Sequence, residues 1–234
     1  MRNVIRRILL VICIITFLIS GGMLAKYFYV NHQSEKKFEK LNIEFSIGDL
    51  YKQNKDTYGW IYVKDTNINY PVMYTPKDPE HYLRKDFEKK YSINGTPFID
   101  GHTDLENSSN MIIYGHHIKS GAMFQNLVKF DKEGYYKKHD DITLQTVKHG
   151  TKKYKVFAFG KTSATAKDFN VYNYVNIKDK YKFNEYVRGL KAMSEYDTGI
   201  TPTYGDKIIT LSTCNYHTDD GRYIVAAVEV DEEN

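Results

Sequence analysis

The chain has 234 residues, of which 41% are hydrophobic and 15% aromatic, and its 33 basic and 29 acidic residues give a formal net charge of +4 at pH 7. This length accommodates one domain of ordinary size with an additional segment. Positive and negative residues alternate along the chain without a basic block after the first seven residues, a pattern that is typical of a solvated surface and argues against a nucleic-acid-binding protein.

The first thirty residues predict a membrane-spanning signal anchor. Arginines at positions 2, 6 and 7 precede residues 8–25, which carry no charge. This run is just long enough to cross a bilayer as a helix, and the arginines before it place the N-terminus in the cytoplasm and the following domain outside. A cleaved secretory signal is the alternative, since small residues lie at positions 21, 22 and 25, but the run is long for a signal core. Both interpretations predict an exported domain.

Residues 31–54 have apolar residues at approximately helical spacing and predict a helical lead-in to a domain at 55–234. Short apolar segments then predict about eight strands, at 60–63, 68–73, 97–100, 110–115, 141–147, 153–160, 207–214 and 222–230. Between the sixth and seventh strands, apolar residues repeat at three and four from Phe183 to Met193 and predict one inserted helix. The sequence therefore predicts a mainly β fold, a closed β-barrel with N-terminal helices and a helix before the penultimate strand; a β-sandwich is the alternative.

Cys214 is the candidate nucleophile. The other cysteine, Cys13, lies in the apolar run, so the exported domain has no second thiol with which to form an internal disulfide. An unpaired thiol in an oxidising compartment is either buried or used. Side chains alternate along the predicted strand, so Thr210, Ser212 and Cys214 share its more polar face. A small core residue is the alternative interpretation of this cysteine.

Arg222 begins the next predicted strand. If the two strands pair antiparallel around the loop between them, Arg222 lies opposite Cys214, at about 5 Å. A guanidinium in this place favours a thiolate and can donate hydrogen bonds to an oxygen that becomes negative during attack on a carbonyl. Taken alone, an arginine here could equally be a surface ion-pair partner. Because arginine is a poor proton acceptor, a catalytic site also needs a base.

Three histidines compete for that role. His217 is close to Cys214 in sequence, but it lies in a loop rich in turn-forming residues, where nothing orients its ring. His116 follows a predicted apolar strand directly after Gly115, and a side chain at the end of a rigid strand is better positioned for catalysis. We therefore favour His116, with His117 as its rival on spacing. The two adjacent histidines lack an HExxH or CxxC partner motif, which argues against a metal site.

Several segments of the chain resemble sortases, the cysteine transpeptidases of Gram-positive bacteria. TLSTC at 210–214 resembles the sortase TLxTC signature, YGHH at 114–117 resembles the GH segment that carries the sortase histidine, and Arg222 fits the sortase arginine. Further blocks resemble class B members, namely INYPV at 68–72, HYLRKDF at 81–87, GTPFID at 95–100 and NMIIYGHHIKSGAMFQNL at 110–127. The resemblance spans nearly the whole chain.

The resemblance implies roles for six residues. Cys214 would be the nucleophile, His116 the general acid and base, and Arg222 the group that stabilises the oxyanion and positions the substrate. The groove for the sorting signal would be lined by Leu83, Ser212 and Thr213. The family often has Asp-Asn ahead of the Tyr-Leu pair, whereas here Pro79 follows Asp78, so the family's peptide preference does not transfer to this chain.

The implied reaction begins with attack on the Thr carbonyl of an LPXTG-like or NPQTN-like sorting signal. An amine of a peptidoglycan precursor would resolve the thioester and join a surface protein to the cell wall, without a metal or cofactor. Wall anchoring and pilus assembly, and the oligomeric state, stay open. Two other functions are also compatible with the sequence: a secreted thiol protease that releases its product to water, and a non-catalytic, membrane-tethered binding domain.

Overall fold

The computed structural model describes residues 2–214 and 220–231. Four α-helices and eight strands lie within these ranges: α1 (Arg2–Glu44), α2 (Ile47–Gln53), β1 (Thr57–Val63), β2 (Asn69–Met73), β3 (Phe98–Ile99), β4 (Asn110–Tyr114), α3 (Glu133–His139), β5 (Asp141–Thr146), β6 (Gly150–Ser163), α4 (Lys180–Ala192), β7 (Ile208–Cys214) and β8 (Gly221–Val230). Short 3₁₀ helices occupy His81–Arg84, Phe124–Asp131 and Val171–Tyr174.

The strands form one closed barrel in the order β1-β2-β3-β4-β7-β8-β6-β5, and β5 pairs with β1 to complete it. The predicted barrel is thus confirmed and the sandwich alternative is excluded. Each predicted strand corresponds to an observed one, and α4 precedes the penultimate strand as predicted. Most pairs are antiparallel, but β4 and β7 run parallel, so both reach the same end of the barrel with their carboxyl termini. This shared end is where the candidate site lies.

Two apolar clusters hold the fold together. One fills the barrel and includes Ile61, Ile113, Leu211 and Val225. The other lies outside the barrel, where α4 and the Val171–Tyr174 turn cover the opposite faces of β4, β7 and β8. The alternation along β7 places Leu211 inside and Thr210 and Ser212 outside, under this cover. The polar face predicted for β7 is therefore buried by the inserted helix: Thr210 and Ser212 are at most 1% exposed.

The carboxyl-terminal part of α1 packs against the barrel. Asn31 and Phe38 are buried there, and Lys37 Nζ lies 3.0 Å from Asp86 Oδ2. Residues 3–44 form a helix that is long and apolar enough to cross a membrane, a test that a signal sequence also passes. The same helix extends without interruption to Glu44.

The sequence did not predict the helical segment after β4. Phe124, Leu127 and Phe130 recur at intervals of three, and all are buried against the barrel. That spacing is the signal of a helical turn, but the segment is short and follows a strand and a glycine-containing loop. Packing of these three side chains against the barrel produces a 3₁₀ helix here.

Candidate active site

The parallel pairing of β4 with β7 and the antiparallel pairing of β7 with β8 align the three predicted catalytic residues. Tyr114 pairs with Ser212, so two residues further along each strand the register leads to His116 and Cys214. On the other side of β7, Cys214 pairs directly with Arg222, as predicted. Cys214 therefore lies at the end of the middle strand, with Arg222 on β8 at one side and His116, two residues beyond the end of β4, at the other.

Gly115, which directly follows β4, lies in close contact with a buried ring. Its N–H donates to the Ser212 carbonyl at 3.0 Å, and a Cβ at this position would lie 2.5 Å from the Phe124 ring. A larger residue would displace that buried ring. The Phe124 N–H in turn donates to the His116 carbonyl at 3.0 Å. Main-chain hydrogen bonds thus hold the backbone of His116 on both sides, independently of the contacts of its ring.

The ring of His116 has a defined tautomer. Its Nε2 lies 2.7 Å from the Leu83 carbonyl oxygen, and because a carbonyl only accepts hydrogen bonds, Nε2 carries the hydrogen. Burial lowers the pKa of His116, the nearby charge of Arg84 lowers it further, and the bond to Leu83 opposes both. The neutral ring, in which Nδ1 is free of hydrogen, is therefore favoured in the folded protein.

The second histidine contacts the main chain of the cysteine. His117 Nδ1 lies 2.9 Å from the Cys214 carbonyl oxygen, so this nitrogen is a donor. The second histidine therefore supports the end of β7 through the main chain of Cys214. His217, the histidine nearest to Cys214 in sequence, lies outside the described residues.

All six residues predicted for the site border one cavity of about 460 Å³. They are His116, Cys214 and Arg222 together with Leu83, Ser212 and Thr213. Leu83 contributes in two ways, since its carbonyl also orients the His116 ring. Pro79, the residue that departs from the family pattern, borders the same cavity and packs against Gly101, where a Cβ would lie 2.7 Å from the proline ring. Pro79 therefore contributes an apolar ring to the cavity wall.

Tyr172 is a member of the site that sequence reasoning missed. Its hydroxyl lies 2.8 Å from Ser212 Oγ, and its ring stacks on Tyr114 with centroids 6.0 Å apart. Burial raises the pKa of Tyr172, whereas Ser212 and the positive charge of Arg222 oppose the rise. Tyr172 is one of 21 tyrosines and lies in the short 3₁₀ helix at Val171–Tyr174. Only the turn before α4 brings it to the cavity, so no local pattern distinguished it.

The arrangement has the components of acyl transfer. A partly buried thiol, a neutral imidazole and a permanently charged guanidinium border one cavity. These groups can serve as nucleophile, proton carrier and oxyanion donor for attack on a carbonyl. One Arg222 donor, Nη1, is directed to the Gly221 carbonyl at 3.0 Å, which orients the guanidinium, and the group has five N–H donors in all.

Comparison with known proteins identifies the family. The sortase domain model matches residues 61–230. Sortase B of Staphylococcus aureus (strain NCTC 8325 / PS 47) is 32% identical over 239 residues, which cover 94% of this chain and 93% of the relative. Sortase B of Listeria monocytogenes is 32% identical over 182 residues, covering 76% of this chain and 72% of the relative.

Solved structures agree with the sequence comparison. The Staphylococcus aureus sortase B–substrate complex superposes with a TM-score of 0.71 at 28% identity, covering 92% of this chain and 99% of that structure. The chain therefore belongs to the sortase family of cysteine transpeptidases, and within it to class B.

Proposed function

We propose that this chain is a membrane-anchored transpeptidase that cleaves an LPXTG-like or NPQTN-like sorting signal after its Thr and transfers the surface protein to a cell-wall amine. The observation that carries the proposal is the convergence of Cys214, His116 and Arg222 on one cavity, in register on adjacent strand ends. Membership of the sortase family supplies the reaction class, and this chain's own residues supply the roles.

Acylation follows from the protonation states. Cys214 Sγ attacks the Thr carbonyl carbon while the thiol proton passes to the unprotonated nitrogen of His116. Arg222 donates to the oxygen that becomes negative in the tetrahedral intermediate. When that intermediate collapses, the carbon–nitrogen bond after Thr breaks, and His116 returns the proton to the departing amine. The product is a thioester between Cys214 and the Thr carbonyl.

Deacylation reverses the roles with a second amine. The amine of the cell-wall precursor attacks the thioester, His116 takes its excess proton, and Arg222 again stabilises the oxyanion. The carbon–sulfur bond then breaks, and the thiolate of Cys214 regains its proton. An amide replaces an amide, so the reaction needs no redox partner. Leu83, Ser212 and Thr213 are proposed to contact the sorting signal along the cavity.

The partners of related enzymes support both substrates. The matched Staphylococcus aureus structure is a sortase B–substrate complex, and another similar structure is sortase B complexed with triglycine. A peptide donor and a short glycine amine therefore fit the chemistry expected of this cavity. The preferred sorting-signal sequence is not inferred from these relatives, because Pro79 forms part of the cavity wall in this chain.

The domain organisation completes the proposal. Residues 1–30 would form a cytoplasmic tip and a transmembrane anchor, 31–54 a helical lead-in, and 55–234 the catalytic domain on the cell-wall side. The apolar helix at residues 3–44 supports the anchor, and the arginines at positions 2, 6 and 7 support the orientation. An anchored enzyme would meet its substrates at the outer surface of the membrane, on the cell-wall side.

The proposal is tested by mass spectrometry of the chain incubated with sorting peptides and amine acceptors. We expect a thioester on Cys214 that lacks the residues after Thr, and an amide product whose yield rises with amine concentration. Cys214→Ala should remove both species. Hydrolysed peptide as the sole product at every amine concentration would instead indicate a thiol protease. Peptide binding without any adduct would indicate a binding domain.

A further inference from the structure

The anchor helix reaches the catalytic histidine through a chain of hydrogen bonds. Glu35 of α1 accepts from the Tyr70 hydroxyl at 2.7 Å, and the same hydroxyl accepts from the Met123 N–H at 2.9 Å. Met123 adjoins Phe124, whose N–H donates to the His116 carbonyl. A continuous path of contacts therefore links α1 to the loop that holds His116.

The path is buried along most of its length. Tyr70 is 1% exposed, and Phe38, one turn after Glu35, packs edge-on against the Tyr70 ring with centroids 5.3 Å apart. Met123 is fully buried. Because a buried N–H that loses its acceptor is costly, the Tyr70 hydroxyl fixes Met123 strongly. The hydroxyl is itself oriented, since its single hydrogen points to Glu35.

Met123 is held in an unusual backbone conformation. Its φ of 56° and ψ of −134° lie where residues other than glycine are rarely found. Such a conformation persists only when the surroundings enforce it, and it commonly occurs at functional sites. Met123 also forms an isolated antiparallel bridge with His117. The constrained residue thus pairs with the histidine segment on one side and is held by Tyr70 on the other.

Glu35 is placed there at an energetic cost. Burial raises the pKa of Glu35, and the hydrogen bond from Tyr70 opposes that rise. Its second oxygen, Oε1, is buried and has no hydrogen-bond partner among the described residues. A carboxylate that served only to attach α1 would be better paired, as Asp86 is with Lys37 Nζ and the Lys90 N–H. The position of Glu35 is therefore better explained by the Tyr70 hydroxyl, which Glu35 orients and which holds the Met123 N–H.

We propose that Glu35 is a positioning residue for His116, acting through the Tyr70 hydroxyl and the main chain of Met123. The anchor helix then supports the geometry of the active site in addition to tethering the domain. The inference rests on the proposed function, because it requires His116 to carry protons in the reaction. It predicts that turnover falls when the path is cut, even though no residue of the cavity changes.

The test uses the full-length chain in detergent micelles and measures kcat and KM with a fluorogenic sorting peptide. Tyr70→Phe leaves the Met123 N–H without its acceptor, and Glu35→Ala leaves the Tyr70 hydroxyl unoriented. Since small displacements of catalytic groups are costly, we expect each to lower kcat about tenfold, with KM nearly unchanged. Glu35→Gln should restore kcat, because its side-chain carbonyl can accept from Tyr70.

Two matched controls separate positioning from attachment. Lys37→Ala removes the ion pair between α1 and Asp86 without touching Tyr70, and Tyr154→Phe removes a hydroxyl from another buried tyrosine, 3.5 Å from Glu229. Both should keep the native kcat. Native kcat in Glu35→Ala and Tyr70→Phe, or an equal loss in Lys37→Ala, would overturn the inference. If the unaltered chain forms no amine-dependent product, the proposed function fails instead.

Discussion

Two cavities of the same volume, about 460 Å³, border the barrel, and they differ in chemistry. The cavity bordered by Cys214 lies at the carboxyl ends of the parallel strands β4 and β7. The other lies at their amino ends, where it is bordered by Asn110 and Ile208. Polar residues line both, including His149, Lys152, Lys207 and Glu229 in the second. Volume and polarity therefore do not identify the site.

The difference lies in the chemical groups that each cavity combines. In the second cavity, Lys152 Nζ lies 2.7 Å from Glu229 Oε1, and Lys207 Nζ donates to the Ser108 carbonyl at 3.0 Å. Both of these cations are thus paired within the protein. The Cys214 cavity instead combines a thiol with an imidazole whose tautomer is fixed by the Leu83 carbonyl. The site is therefore distinguished by a nucleophile and an oriented proton acceptor that border the same cavity.

The largest difference should come from exchanging histidine for alanine in the two cavities. His116→Ala removes the proton carrier and should lower kcat/KM about 10²- to 10⁴-fold, as loss of a general base does. His149→Ala, in the second cavity, should keep native activity. Both are measured with the fluorogenic sorting peptide, alongside thermal unfolding to confirm that each variant folds. Retained transpeptidation in His116→Ala would remove the distinction drawn between the cavities.

The strand pattern was enough to predict one part of this site, the pairing of Cys214 with Arg222. Alternation in β7 and the turn-forming loop after it placed Arg222 opposite Cys214, and the observed register agrees. This prediction required no knowledge of distant contacts, since the partners in a hairpin are local in sequence. The mainly β fold and its number of strands were likewise predictable from the apolar segments, whereas the choice between a barrel and a sandwich depends on how the strands pair. In such elements, sequence period and structure are directly linked.

Contacts between distant segments were not predictable in the same way. Tyr172 reaches Ser212 from the 3₁₀ helix at Val171–Tyr174, and Glu35 of α1 reaches Tyr70 of β2. No periodicity marks either residue, because their roles depend on how separate elements pack. The choice between His116 and His117 had a similar basis, since spacing left both open and only the folded structure shows that His116, rather than His117, borders the Cys214 cavity.

An intermediate effect is expected when the guanidinium is replaced by an ammonium. Arg222→Lys keeps the positive charge but loses the planar, multiple-donor geometry. Loss of an oxyanion donor lowers kcat by about 10²-fold or more, and we expect a decrease of that order. Lys152→Ala, which removes a cation from the second cavity, is the matched control and should not change kcat. Equal activity of Arg222→Lys and the native enzyme would indicate that charge alone suffices.

The smallest effect concerns the pH at which His116 becomes active. Its pKa is lowered from 6.5, by burial first and by the charge of Arg84 second. The acid limb of kcat/KM, which reports groups of the free enzyme, should therefore lie below pH 6.5. The same depressed pKa means that the unfolded chain binds the proton first, so this histidine also reduces stability as pH falls from 6.5 through its folded pKa. Stability and activity should weaken together in that range.

Arg84→Ala tests this assignment of cause. Arg84 donates to the Ile93 carbonyl and does not border the Cys214 cavity, so the substitution removes a charge near His116 without altering the reacting groups. Removing a positive charge stabilises the imidazolium, and the acid limb should move to higher pH while the maximal rate is kept. Lys152→Ala should leave the limb in place, because that charge lies at the second cavity. An unmoved limb in Arg84→Ala would mean that burial and the Leu83 hydrogen bond, without Arg84, set the pKa of His116.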